Sequence, residues 1–178
     1  MLLNKIPVLD NGYVALIDST MPFKRYGAVV DEFYAATDNP VLKKLCYAVM
    51  AFKAPLFVQL HLAQHGLVMV STRMQDDDAY QPSVGEIGTS NHETNKLISD
   101  DISRTTEALL INPKAYQADG CDPFISQVIM PVSSYTTFLI GGPIELWQRF
   151  YKTKSMPLPI KSYANAVEQI IDVEWKNV

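Results

Sequence analysis

Apolar and polar positions alternate loosely on either side of Asp10-Asn11-Gly12, and Asn-Gly is the strongest short hairpin signal. Two short strands are expected, near residues 6–9 and 13–17. From 26 to 37 the period becomes helical, with Val29, Val30, Phe33 and Tyr34 apolar, and Asp38-Asn39-Pro40 ends it. A short helical turn follows from Pro40. Residues 47–52 are apolar and read as a strand. Pro55 suits a first helical turn, where its missing N–H loses nothing. Leu56, Leu60 and Ala63 then recur at helical spacing, with Val58 and Leu62 widening the apolar face. Gly66 reads as the helix stop, and residues 67–70 are apolar and β-rich.

The pattern turns polar at 75–90, with Asp76-Asp77-Asp78, Pro82, Gly85 and Gly88, and predicts a long loop. A run of three aspartates is more often solvated than metal-binding, and no Ca²⁺-loop spacing accompanies it. Ser90-Asn91-His92-Glu93 fits a capping box. A helix to about 111 follows, with Leu97, Ile98, Ile102, Leu109 and Leu110 inside and Asn112-Pro113 as its end. Asp122-Pro123 opens a short helix that Pro131 stops. Residues 134–140 read as a strand, Gly141-Gly142 as a turn, and Pro143 as the start of a helix to 151. The last helix spans about 160–175, with Tyr163, Val167, Ile170 and Ile171 on one face. No internal repeat is visible. Helices and strands mix without a regular βαβ rhythm, which predicts an α+β fold, a mixed sheet packed with helices.

Length and charge narrow the class. A chain of 178 residues fits a single domain over 1–178. The net charge of −4 comes without a basic block, so polymeric nucleic acid is not expected as a partner. A single nucleotide needs only one or two cations. Two cysteines, Cys46 and Cys121, are too few for a disulfide framework. No membrane span or signal peptide is recognisable, so a cytoplasmic protein is expected.

The chemistry-bearing residues cluster around 61–73. His61 and His65 share one helical face, but the residue after His61 is Leu62, so the glutamate base of a zinc hydrolase is missing. No metal is expected on that basis, and His65 serves either as a helix-end histidine or as a ligand contact. Ser71, Thr72 and Arg73 form a hydroxyl–guanidinium cluster suited to a phosphate. Cys46 lies in an apolar run. Cys121 precedes an expected helix start, yet a loop cysteine without a role is the commoner case. Neither GxGxxG nor a P-loop is present.

Together these residues carry a resemblance. Lys53-Ala54-Pro55-Leu56-Phe57-Val58, then Gln64-His65-Gly66, then Ser71-Thr72-Arg73 resemble the flavin-dependent thymidylate synthases. Asp10-Asn11-Gly12-Tyr13-Val14 before them resembles that family too. After them, Gly120, Ser126-Gln127, Met130-Pro131, Tyr135-Thr136 and Tyr163-Ala164-Asn165-Ala166 follow in the family's order. The resemblance covers nearly the whole chain. It implies the fold of the thymidylate synthase-complementing proteins, a homotetramer with flavin bound between subunits, and FAD and methylenetetrahydrofolate as cofactor and co-substrate. The implied reaction transfers a one-carbon unit to C5 of a deoxypyrimidine monophosphate. The implied site residues are Ser71 and Arg73 for phosphate, His65 and Gln64 for flavin, and Gln127 and Glu145 for the base.

The departures fall on the family's chemistry. Its Arg-His-Arg keeps only His65, the arginines being Gln64 and Gly66. The arginine ahead of its Leu-Pro is Gln127, and its Asn-Ala-Arg falls on Pro143-Ile144-Glu145. An arginine donates to a uracil ring, whereas an ionised glutamate only accepts. Cytosine offers an N4 amino donor that a carboxylate takes up. Glu145 therefore suits dCMP where the family arginine suits dUMP. The plain alternative is that Glu145 is a first-turn acid favoured by the helix dipole. Loss of four arginines also leaves room for a nucleotide-binding or structural protein without the activity.

Overall fold

A computed structural model of the protein describes residues 3–20, 47–121 and 131–174. The helices expected at 26–37 and after Asp122, the turn from Pro40, Cys46 and Gln127 lie outside the described residues.

Strands β1 (Leu3–Val8) and β2 (Gly12–Thr20) form the expected hairpin, with Val8 opposite Gly12. β3 (Tyr47–Pro55) runs into α1 (Leu56–Ala63). β4 (Val68–Ala79) follows, then a 3₁₀ turn at Val84–Glu86 and α2 (His92–Ala118). β5 (Ser134–Pro143) leads into α3 (Ile144–Tyr151), and α4 (Leu158–Glu174) closes the described chain. The sheet order is β1-β2-β3-β5-β4, with antiparallel pairing throughout. No helix among the described residues is long and apolar enough to cross a membrane.

The middle of the sheet contains a symmetry that the sequence hides. β3 and β5 are each nine or ten residues long, and each ends in a proline that caps an eight-residue helix with nearly identical backbone angles. Tyr47 pairs with Pro143 and Pro55 with Tyr135, so the two strand–Pro–helix units are related by a two-fold through Ala51 and Leu139. Tyrosine and proline recur at matched positions while the rest diverges, which is why no repeat is legible.

One face of the sheet carries the core. Phe52 is its hub, stacking on Phe138 at 5.3 Å and on Trp147 and Tyr163, each at 6.1 Å. Rings so offset add attraction beyond the area that they bury. Val58 and Leu62 of α1, Ile144, Trp147 and Phe150 of α3, and Tyr163, Val167, Ile170 and Ile171 of α4 complete it. Trp147 donates its indole N–H to the Ala48 carbonyl at 3.3 Å, so the buried polar edge is satisfied.

Several expectations need correction. Gly141 and Gly142 are not a turn but lie within β5. A Cβ at Gly141 would sit 2.7 Å from the Tyr47 hydroxyl and press on that ring, and one at Gly142 would sit 2.6 Å from Leu67 Cδ2 and displace it, so packing against the strand favours glycine at both. The 75–90 segment is not all loop, because β4 continues to Ala79. Two irregularities hide it: from Ser71 to Gln75 and from Gln75 to Ala79, β4 takes four steps where β5 takes two. Such bulges break the alternation that marks a strand, and they blunt an exposed edge. Asp76-Asp77-Asp78 fall in the second of them.

α2 starts from Asn91, whose side chain accepts from the Glu93 and Thr94 amides at 2.9 and 3.2 Å; Ser90 is not its cap. The reciprocal capping box lies one element upstream, between Ser83 and Glu86. Nor does Pro113 end α2. The helix passes through it to Ala118, with the proline ring buried. The actual stop is Gly120 at φ +89°, where Cys121 N–H donates to Tyr116 O and Gly120 N–H to Gln117 O. That is the paired closure in which glycine takes the left-handed position. Leu97 and Ile98 are exposed rather than inside, as are Ile111 and Tyr116.

Candidate functional site

The two ends of the β3–β5 pair are chemically unlike. At the end where Pro55 meets Tyr135, four separated stretches converge on hydroxyl groups. The Tyr135 hydroxyl donates to Asp10 Oδ1 at the hairpin tip. The Tyr163 hydroxyl, brought by α4, donates to the Lys53 carbonyl at 2.9 Å. The Lys53 ammonium lies 5.4 Å from the centre of the Tyr135 ring. Gly12 passes so close that a Cβ there would strike the Tyr163 hydroxyl. Both tyrosines are fully buried. Burial, and for Tyr135 next the hydrogen bond to Asp10, pushes both phenols above their ordinary range, so they stay neutral donors.

Tyr80 sits just beyond β4, edge-on to Phe57 at 6.0 Å, and donates to Glu86 at 2.7 Å. Burial first, then that bond, raises its pKa. Burial also pushes Glu86 up, but bonds from Ser83 and Tyr80 outweigh it and hold the carboxylate below its usual value.

At the opposite end, where β5 runs into α3, the groups are charged and more open. α1 stops at its C-terminus because Gly66 takes φ +76°, and the turn presents His65 beside His61, Nε2 to Nε2 at 3.4 Å. Phe150 of α3 packs its ring edge-on to His65 at 5.3 Å. Arg149, one residue earlier, pairs with Glu145 across a helical turn at 3.3 Å. Burial, then the His61 ring, then the Arg149 guanidinium hold the His65 pKa below its ordinary value.

Of the residues singled out from sequence, His65 and Gln64 sit together in the turn after α1, His65 half-buried and Gln64 exposed. Glu145 stands in the first turn of α3 as the dipole argument expects, and Arg149 is its partner. Ser71 is exposed on β4 opposite Phe138, and Arg73 follows within the first bulge. Phe138 lies five residues before Pro143, so Ser71 and the start of α3 are about 17 Å apart along β5.

Sequence reasoning missed Arg149 and the hydroxyl cluster. The helical spacing from Glu145 to Arg149 is the signal for the first. For the second, Asp10, Lys53, Tyr135 and Tyr163 all stand in the stretches that carry the family resemblance.

The fold is shared with a known nucleotide enzyme. The UMP/dUMP methylase PolB from Streptomyces cacaoi bound with 5-Br dUMP matches at a TM-score of 0.67 and 15% identity, over 96% of this chain and 93% of that one. The same methylase bound with 5-Br UMP matches at 0.68 and 16%, over 96% and 92%. No protein-family model and no curated protein sequence matches the chain. At this identity the likeness establishes the α+β fold and its whole-chain extent.

Proposed function

We propose that this chain is a pyrimidine-nucleotide C5 one-carbon transferase, similar to the flavin-dependent thymidylate synthases. The observation that carries the reading is the whole-chain fold match to a UMP/dUMP methylase with halogenated nucleotides bound. In this reading Ser71 and Arg73 hold the phosphate, and Gln127 and Glu145 address the base. His65 and Gln64 face FAD. Glu145, accepting from an exocyclic amino group, favours dCMP over dUMP.

The donor set fits a flavin in altered form. Gln64 and Gly66 lack the family's guanidinium groups, but Arg149 brings one to the same corner, close enough to act on His65. Bound flavin would supply the hydride, with methylenetetrahydrofolate supplying the carbon. The protein's share is to hold the reacting partners in register and to place charge. In this reading the site is shared between copies in a homotetramer, as the resemblance to the flavin-dependent thymidylate synthases implies. Exposed Leu97, Ile111 and Tyr116 on α2 are suited to a subunit interface.

The test is flavin titration of the purified protein, then thermal shifts with dCMP, dUMP and UMP. A flavin absorption spectrum and nucleotide-dependent stabilisation are expected, the latter about 2.7 kcal/mol at a hundredfold excess over Kd. A colourless protein that ignores flavin but binds a nucleotide favours a binding protein on the same scaffold. If no pyrimidine nucleotide shifts the melting temperature, the reading is wrong.

A further inference from the structure

The chain has three histidines, and two of them aim ring nitrogens at one point. His61 lies in the last turn of α1 and His65 follows in the turn after it, four residues on, so both rings project from the same side. Their Nε2 atoms are 3.4 Å apart. That is the length of a long, weak N–H···N hydrogen bond in one tautomer, which a bound ion would replace. It matches the spacing that two imidazoles need around a tetrahedral ion. With metal–nitrogen bonds of about 2.0–2.1 Å, the tetrahedral edge is about 3.3–3.4 Å. Two adjacent ligands of a square-planar ion would stand closer, about 2.8–3.0 Å.

The surroundings hold the pair in place. Phe150 packs edge-on to His65 at 5.3 Å and lies 6.4 Å from His61, bracing both rings from α3. Arg149, a cation that acts on His65, is itself paired with Glu145 at 3.3 Å, which reduces its repulsion of an incoming cation. Among the described residues no group of three or more histidine, cysteine or acidic side chains is placed around a common metal. Two positions of a tetrahedral ion would therefore be filled by water or by a second copy of the chain.

We propose that His61 and His65 form a two-imidazole clip for a tetrahedral divalent transition metal of the Zn²⁺ class. The clip is not a hydrolase centre, because Leu62 stands where a glutamate base would be needed. It needs nothing from the nucleotide, since it uses only the end of α1. The two readings meet at His65, so metal and flavin would compete for that ring.

Cobalt titration of tag-free protein tests the clip, with Co²⁺ as spectroscopic probe and Zn²⁺ as displacing ion. The expected result is saturable binding with the intense visible bands of tetrahedral cobalt, bleached by Zn²⁺. His61→Ala and His65→Ala should each weaken binding roughly tenfold or more. His92→Ala, on distant α2, should leave it unchanged. Circular dichroism of each variant confirms folding, and His61→Gln repeats the test with a side chain of similar reach. No saturable binding, a pale octahedral spectrum, or undiminished affinity in a folded His61 or His65 variant overturns the proposal.

Discussion

The hydroxyl cluster at one end of the β3–β5 pair and the histidine–arginine corner at the other are built on the same strands, yet they have opposite characters. Asp10, Tyr135, Tyr163 and the Lys53 carbonyl bond to one another, with both tyrosines fully buried. His61, His65, Glu145 and Arg149 are half-buried or exposed, and their strongest link is an i,i+4 ion pair. The first end is over-determined: hairpin tip, central strand and C-terminal helix all lock there. The second is under-determined, with side chains free to change identity at little cost to the fold. The residues that resemble the flavin-dependent thymidylate synthases are concentrated at the first end. Of the four departures from that family, Gln64, Gly66 and Glu145 lie at the second, and Gln127 is outside the described residues.

The sharpest break of this contrast is Gly12→Ala. The added Cβ would meet the Tyr163 hydroxyl and stand 2.7 Å from the Val8 carbonyl and 2.9 Å from that of Lys53. Backbone on two sides cannot give way, so a loss of about 3 kcal/mol or more is expected in denaturant unfolding. An unchanged midpoint would mean that the cluster is looser than these distances.

Tyr135→Phe is the next test. It removes a donor from a carboxylate, a loss of about 1.5–3 kcal/mol. Tyr163→Phe removes a neutral bond to the Lys53 carbonyl and should cost about 1 kcal/mol. If the two hydroxyls act as one network, the double variant will lose less or more than the sum, and the cycle measures that coupling.

How much of this was legible depended on whether the cause was local. The capping prolines at 55 and 143 and the Gly66 stop are set by nearest-neighbour geometry, and each is found where the pattern put it, whereas the hairpin turns at residues 9–11 with Leu9 at φ 56° and Gly12 already in β2. Gly141-Gly142 misled because their cause is distant: Tyr47 and Leu67 press on them from neighbouring chain segments. β4 was obscured by bulges, which erase the period-2 signal. Pro113 misled because a helix can tolerate one lost N–H bond where the ring is buried. At the corner after α1, the ion pair of Glu145 with Arg149 follows from helical spacing, but the nearness of Arg149 to His65 does not, because it comes from α3 packing beside α1.

Acidification should probe the second end. The folded-state pKa of His65 is lowered, so folding favours its neutral form. Its contribution is present above the ordinary histidine value of about 6.5 and is lost as pH falls through the lower folded value. NMR titration of the ring should show the depressed value. The causes also rank: burial first, then His61, then Arg149. His61→Ala should therefore raise the His65 pKa more than Arg149→Gln does. The reverse order would place Arg149 nearer the ring than His61.

The smallest stability effect belongs to Glu145, and it separates the two ends most cleanly. Glu145 and Arg149 side chains are 41% and 65% exposed, so their pair is screened by solvent. Glu145→Gln should change stability by only about 0.3–0.5 kcal/mol, the usual worth of such a helix pair. Its effect on ligand choice should be much larger if the carboxylate reads the base. A glutamine amide can donate as well as accept, so it suits uracil and cytosine about equally. The expected outcome is a melting temperature nearly unchanged without ligand, together with a dCMP preference that collapses toward dUMP. If the preference survives, Glu145 is only the partner of Arg149 and a first-turn acid. Base choice would then lie with another group. If stability falls by several kcal/mol instead, the corner is as tightly built as the hydroxyl cluster and the division between the two ends fails.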